Sequence, residues 1–102
     1  MAAADLLVVA HCPSPNTTAL KDAVLAGARA GGDVTVRHVP PLEATSDDVL
    51  AARGLILGTT ENFGYMAGAM KDFFDRIYYP CLEETQGLPY AIYIRAGLDG
   101  TG

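Results

Sequence analysis

The sequence predicts a three-layer α/β fold whose parallel sheet has the strand order 2-1-3-4. Apolar runs of strand length alternate with amphipathic helical stretches over essentially the whole chain, which is typical of a parallel sheet with right-handed crossovers. The first and third runs are apolar throughout, as in strands buried on both faces, whereas the second alternates apolar with polar residues, as in an edge strand. The first and third strands are therefore central, and the second lies at an edge.

The first strand is Leu6–Ala10, and the first loop, His11–Thr18, follows it with two prolines and an asparagine. A helix over about 19–30 is predicted by apolar residues spaced four apart on one face. Thr18 is the expected N-cap, and a glycine pair ends the helix. This part of the chain therefore predicts a strand, a polar loop and a helix.

Alternating valines over 34–39 predict the second strand, which a proline pair ends. Ser46 with two aspartates after it predicts the start of a short helix over Asp47–Arg53, because negative charge is favourable at a helix N-terminus. Leu55–Leu57 is the predicted third strand, and the apolar run that contains it stops at Gly58.

A helix face is predicted from Met66 onward, with the helix ending near Tyr79 because Pro80 follows. Tyr90–Ile94 is the predicted fourth strand, and the glycine-rich stretch 95–102 follows it. A fold of this kind normally continues with a fifth strand and further helices, which are absent from this chain. Either the chain is a fragment, or another chain supplies the missing cover.

Exposed apolar side chains are expected on the fourth strand, at Tyr90, Ile92 and Ile94. An exposed edge strand of this kind can pair with a strand of another chain. The sequence therefore predicts a homo-oligomer, with this strand or the helix region of 66–79 at the contact.

Length, charge and composition limit the class of protein. A chain of 102 residues predicts one domain spanning 1–102. The net charge of −5 argues against nucleic-acid binding, which needs a surplus of lysine and arginine. No apolar stretch approaches the roughly 18 residues of a membrane span, and the chain has no basic leader and only two isolated cysteines. We therefore expect a cytoplasmic protein with no membrane and no nucleic-acid partner.

Three loops follow strands at the edge of the sheet where ligands bind in open α/β folds. The first loop offers a helix N-terminus with neutral donors, which suits a phosphate; the alternative is that this cluster merely caps the helix. The loop after the third strand offers polar groups and rings that suit a planar heterocycle. The candidate binding residues in the three loops are Ser14, Asn16, Thr17, Thr18, Thr60, Glu61, Asn62, Phe63, Gly64, Tyr65, Ala96 and Gly97.

Other kinds of site are excluded by missing residues. The chain has no Gly-Lys-Ser/Thr triplet of a P-loop, and no Gly-x-Gly-x-x-Gly fingerprint follows the first strand. A phosphotyrosine phosphatase needs an arginine where Thr18 stands, and a receiver domain needs an aspartate where Gly58 and Thr59 stand. His11, His38 and the two cysteines do not have metal-ligand spacing. Cys12 is interpreted as a small loop residue rather than a reactive thiol.

The segment from Gly58 to Arg76 resembles the isoalloxazine-binding loop of the flavodoxin-like NAD(P)H-dependent FMN reductase family. In that family a Thr-Pro-Glu-Asn-Phe-Gly-Tyr-Met type of sequence precedes a Lys-Asp-Phe-Phe-Asp helix, and Thr60 stands here at the proline position. The stretch Ala96-Gly-Leu-Asp-Gly-Thr-Gly102 also resembles the loop that borders the other side of the ring. The resemblance implies a flavodoxin-like fold, FMN as cofactor and flavin sites at dimer interfaces.

The activity expected from this resemblance is an NAD(P)H-dependent reductase acting on flavin or quinone-type acceptors. NADPH or NADH would be the electron donor, and the flavin would carry the chemistry, so that no catalytic side chain is required. The first alternative is a flavodoxin-type electron carrier that serves a redox partner protein. The second is an interaction domain without flavin.

Overall fold

The computed structural model describes residues 5–81, 84–85 and 87–96. Eight elements follow one another along the chain, and strands alternate with helices except at one short hairpin. In chain order they are β1 (Leu6–Ala10), α1 (Pro15–Ala30), β2 (Val36–Val39), α2 (Ser46–Leu50), β3 (Gly54–Asn62), β4 (Tyr65–Met66), α3 (Gly68–Cys81) and β5 (Tyr90–Arg95).

The sheet has the predicted order. The parallel strands run β2-β1-β3-β5, and β5 is the fourth strand of the sequence analysis. Val8 of β1 pairs with His38 of β2 and Ile56 of β3, and Ile56 pairs in turn with Ala91 of β5. The two-residue strand β4 pairs antiparallel with the end of β3. The flavodoxin-like arrangement is therefore confirmed.

Helices cover both faces of the sheet. On one face, Leu7, Val9, Leu55 and Leu57 pack with residues of α2 and α3, where Phe73 is completely buried. The opposite face has a smaller cluster, in which Val8, Ala10 and Leu25 of α1 are buried. This packing produces the predicted three layers.

Two helices begin earlier than the sequence analysis predicted. Helix α1 starts at Pro15 rather than near residue 19, and its N-cap is Ser14 rather than Thr18. Helix α2 starts at Ser46 with Thr45 as its N-cap, and it ends at Leu50 rather than Arg53. In both cases the N-cap residue and the third helical residue exchange backbone and side-chain hydrogen bonds, a capping box that fixes the start.

Two further boundaries differ from the prediction. Helix α3 continues through Pro80 to Cys81, and it begins at Gly68, so that Met66 belongs to β4. Pro80 lies in the last turn, so the hydrogen bond that its missing N–H removes is at the end of the helix. Strand β3 does not stop at Gly58 but runs on to Asn62, because Thr59 and Thr60 continue the ladder with β5.

Strand β5 carries the exposed apolar side chains that the sequence predicted. Tyr90, Ile92 and Ile94 have exposed fractions of 69%, 53% and 45%. Within the described ranges, β5 pairs only with β3. An apolar groove of about 510 Å³ runs beside it, lined by Leu55, Leu57, Phe74, Ile77, Leu88 and Ile92 among others. None of the helices in the described part of the chain is both long and apolar enough to span a membrane.

Candidate functional site

Three strand ends meet at one edge of the sheet. Ala10 at the end of β1 pairs with Gly58 of β3, and Gly58 pairs with Tyr93 of β5. The amide of His11 continues this row by donating to the carbonyl of Gly58 at 2.9 Å. The first loop, the extension of β3 and the end of β5 are therefore neighbours at the carboxyl edge, where open α/β sheets bind ligands.

In the first loop, Ser14 and Thr17 form the capping box of α1. The Ser14 hydroxyl accepts from the Thr17 amide at 3.3 Å, while the Thr17 hydroxyl accepts from the Ser14 amide at 3.0 Å and donates to the Ser14 carbonyl at 2.9 Å. Thr17 is buried by this arrangement. These two residues therefore cap the helix. Asn16 is exposed and Thr18 half-buried in the first turn, and the cap uses neither side chain.

The loop predicted after the third strand is a hairpin in the structure. Glu61 pairs with Met66 and Asn62 with Tyr65, so that Phe63 and Gly64 alone form the connection. Both have positive φ, 51° at Phe63 and 77° at Gly64, as two-residue hairpin connections of this hand require. A phenylalanine in this region is unfavourable by roughly 1 kcal/mol. Its ring is fully exposed, and Tyr65 is half-exposed beside it.

Two adjacent threonines at the base of the hairpin differ in their hydrogen bonding. The Thr59 hydroxyl accepts from the Ala67 amide at 3.2 Å and donates to the Thr60 carbonyl at 2.9 Å. The hydroxyl oxygen of Thr60 is buried and has no hydrogen-bond partner among the described residues. Thr59 therefore closes the hairpin, whereas Thr60 brings an unsatisfied polar atom to the edge of the sheet.

The third predicted loop is described only at its start. Ala96 follows β5 directly and is half-buried. Gly97 and the rest of the glycine-rich stretch lie outside the described residues. The structure thus brings Ala96 to the same edge as the first loop and the hairpin.

Sequence reasoning missed the contact between Tyr93 and Gly58. The Tyr93 ring lies against Gly58, in the space that a Cβ atom at position 58 would fill. Burial raises the pKa of Tyr93, which keeps its phenol neutral. The glycine after a buried apolar run was a signal for a close approach, but nothing in the sequence identified the aromatic partner 35 residues later.

A cavity of about 260 Å³ lies on the β2 side of the first loop and is lined by His11, Cys12 and His38 among others. Burial raises the pKa of the Cys12 thiol, which supports its interpretation as a small loop residue. Burial also lowers the pKa of His38 and outweighs the opposing effect of its contact with the Ala10 carbonyl at 3.3 Å. Over the described ranges, no three histidine, cysteine or acidic side chains form a group that could hold a metal ion.

Two comparisons with known proteins each find a flavodoxin. The chain is 34% identical over 99 residues to a flavodoxin of Aquifex aeolicus (strain VF5), a match that covers 95% of this chain and 52% of the relative. The chain thus spans about half the length of the curated relative it matches. The solution structure of two-electron reduced flavodoxin from Megasphaera elsdenii superimposes with a TM-score of 0.78 over 92% of this chain and 66% of that chain. At 19% identity, this likeness shows the fold alone.

No family model matches the chain. The prediction of an NAD(P)H-dependent FMN reductase is wrong, because the curated relative is a flavodoxin. The prediction that NADPH or NADH is the direct electron donor rested on the reductase prediction, and the comparisons do not support it. The other half of the resemblance is supported, because the chain has a flavodoxin-like fold and is similar in sequence to a flavodoxin.

Proposed function

We propose that this chain binds FMN at the carboxyl edge of its sheet and carries electrons to a redox partner protein. The observation that supports the proposal most directly is the meeting of the first loop, the hairpin and the end of β5 in a chain related to a flavodoxin. When bound, FMN supplies the redox chemistry, accepting and releasing electrons at its ring. The role of the protein is then to hold, orient and shield the cofactor.

The phosphate of FMN fits the start of α1. This helix is 16 residues long, and its N-terminus presents the positive end of the helix dipole to the first loop. The first loop contains no lysine or arginine, so neutral donors would hold the phosphate. Ser14 and Thr17 fix the shape of the turn, while Asn16 and Thr18 supply side chains that the cap does not use.

In this proposal the ring of FMN binds at the hairpin, on the edge of the sheet where Ala96 also lies. The hairpin, Thr59–Ala67, carries two exposed aromatic side chains, Phe63 and Tyr65, that suit stacking against a planar ring. Its base carries the buried hydroxyl of Thr60, which has no hydrogen-bond partner in the described part of the chain. The Phe63 backbone is held in an unfavourable conformation, which is common at ligand sites.

An acidic electron carrier suits a basic partner. The net charge of −5 would steer association with a positively charged protein and make its rate fall with salt. We also propose that the chain self-associates through β5, as the exposed Tyr90, Ile92 and Ile94 suggest.

Titration with FMN tests the central claim. Binding should quench flavin fluorescence with micromolar affinity or better, about −8 kcal/mol. NADPH or NADH alone should leave the absorption spectrum of the bound flavin unchanged, whereas dithionite should bleach it. A chain with folded circular dichroism that shows no saturable quenching would refute flavin binding.

A second comparison locates the phosphate. Replacing Asn16 and Thr18 with alanine should weaken FMN binding much more than riboflavin binding, because riboflavin lacks the phosphate. Ser14→Ala is the matched control, since it removes a cap bond and should lower stability by about 1 kcal/mol. Equal weakening of both ligands by the double variant would contradict the placement.

A further inference from the structure

The starting observation is a lysine on the inner face of α1. Thr17 and Leu25 are both buried in this helix, and Leu25 packs on β1. Lys21 lies midway between them, and residues four apart lie on the same face of an α-helix. Its side chain is accordingly only 17% exposed, whereas Leu20, one residue earlier, is exposed to solvent. A position that faces the sheet is therefore occupied by a charged residue.

The ion pair that Lys21 makes does not explain this placement. Its ammonium nitrogen contacts a carboxylate oxygen of Asp22 at 2.7 Å, but the Asp22 side chain is 63% exposed. Adjacent residues of a helix do not face each other, and an ion pair with so exposed a partner contributes little to stability. A methionine at position 21 would pack on the inner face without removing a charge from water. The lysine therefore needs a reason other than stability.

The ammonium group of Lys21 lies at the base of the first loop. Side chains of an α-helix lean toward its N-terminus, so the stem of Lys21 runs back toward Thr17. Burial raises the pKa of Cys12 in the first loop and lowers that of His38 in β2, and the nearby charge of Lys21 acts to lower both pKa values. Cys12 and His38 also line the cavity of about 260 Å³ beside this loop. A positive charge is thus located between α1, β2 and the first loop.

That charge complements a phosphate at the start of α1. A phosphate monoester carries a charge of about −1.5 to −2 near pH 7, whereas a helix N-terminus supplies the equivalent of only about half a positive charge. The first loop itself contains no lysine or arginine. The helix and the neutral donors of the loop would therefore leave a phosphate largely unbalanced, and Lys21 supplies a full positive charge from below the loop.

We propose that Lys21 attracts the phosphate of FMN electrostatically from the inner face of α1, and thereby makes the chain select FMN over flavins that lack a phosphate. This inference rests on the proposed function and deepens it by naming the residue that selects the phosphorylated ligand. Direct contact is not required, because charges in partly buried surroundings interact over several ångströms and are screened little by salt. Asp22 opposes the effect, since its carboxylate partly neutralises the ammonium group of Lys21.

Titrations of four variants with FMN and with riboflavin test the inference. Lys21→Met keeps an unbranched stem without the charge, so its affinity for FMN should fall about tenfold while its affinity for riboflavin stays the same. Lys21→Arg keeps the charge and should retain most of the preference for FMN. Asp22→Asn should bind FMN about threefold more tightly, again with riboflavin unchanged. Arg29→Met is the matched control, because it removes the same charge about 12 Å further along α1 and should leave both affinities unchanged.

The outcomes separate this inference from the proposed function. If the unmodified chain binds no FMN, the proposed function fails and this inference fails with it. If the unmodified chain binds FMN but Lys21→Met retains its preference for FMN over riboflavin, the inference alone is wrong. The urea midpoint of ligand-free Lys21→Met should be equal to that of the unmodified chain or higher. A lower midpoint together with equal weakening of both ligands would overturn the inference, because Lys21 would then have a purely structural role.

Discussion

A single methyl group added at Gly58 should disturb the contact that joins β3 to β5. Gly58 pairs with Ala10 on one side and with Tyr93 on the other. A Cβ atom at this position would lie 2.6 Å from Cε1 of Tyr93 and closer still to Cζ and the hydroxyl oxygen. Carbon atoms do not approach this closely, so the ring of Tyr93 has to move in the Gly58→Ala variant.

The expected size of the effect follows from two opposing contributions. The overlapping atoms are at the far end of a flexible side chain, so the expected loss is that of ordinary overpacking, about 2 kcal/mol. Alanine in place of glycine also restricts the unfolded chain, which favours folding by about 0.5–1 kcal/mol. Gly58→Ala should therefore lower the free energy of unfolding by about 1–1.5 kcal/mol.

The same substitution should have the opposite sign once the ring is removed. In a Tyr93→Ala background only the backbone contribution remains, so Gly58→Ala should stabilise the chain slightly. Urea unfolding followed by circular dichroism on the four chains gives a coupling energy of about 2 kcal/mol. Gly27→Ala in α1 is the control, because its Cβ would meet nothing within 4 Å, and it should stabilise both backgrounds equally. An equal loss from Gly58→Ala in both backgrounds would refute the reasoning.

Two further predictions concern a buried ion pair and the exposed strand. Arg37 contacts Asp48 at 2.6 Å, and the Asp48 side chain is 2% exposed, so Arg37→Ala should lower the free energy of unfolding by about 2–3 kcal/mol near neutral pH. Burial alone would raise the pKa of Asp48, but the bonds from Arg37 and Thr45 outweigh it and lower the pKa below its ordinary value. The stability that ionised Asp48 contributes is therefore complete above the pKa of this group in the unfolded chain, and it is lost as pH falls through the pKa in the folded chain. The urea midpoint should fall less steeply with acid in Arg37→Ala than in the unmodified chain. Parallel curves of urea midpoint against pH would contradict the assignment. Ile92→Lys, on the exposed face of β5, should convert an associated chain to a monomer in light scattering, with unchanged light scattering as the contrary result.

The strands and their order could be predicted because the burial of a strand determines which of its residues are apolar. Leu6–Ala10 and Gly54–Leu57 are apolar throughout because helices cover both faces of β1 and β3. The alternation in 34–39 reflects the edge position of β2. These properties depend only on the type of each side chain, so they can be read from the amino-acid sequence.

The helix starts and the hairpin could not be predicted in the same way. Pro15 is as compatible with a loop as with the first turn of α1, and only the reciprocal bonds of Ser14 and Thr17 decide between them. The hairpin depends on the positive φ of Phe63, a backbone conformation that phenylalanine rarely adopts. The loop motif describes residues that surround a ring and says nothing of the electron donor, which is why the reductase prediction failed.

The shape of the hairpin has a consequence for local opening. Beyond Thr60 it contains only two residue pairs and lies outside the main ladder, and two-stranded segments of this length are barely stable alone. It is attached to the domain by the Thr59 hydroxyl bond to Ala67 and by Met66, which packs on the core. Its amides should therefore exchange with solvent through a separate opening reaction, faster than those of β1, and a ligand that bridges its tip to the first loop should slow that reaction without changing exchange in the central strands.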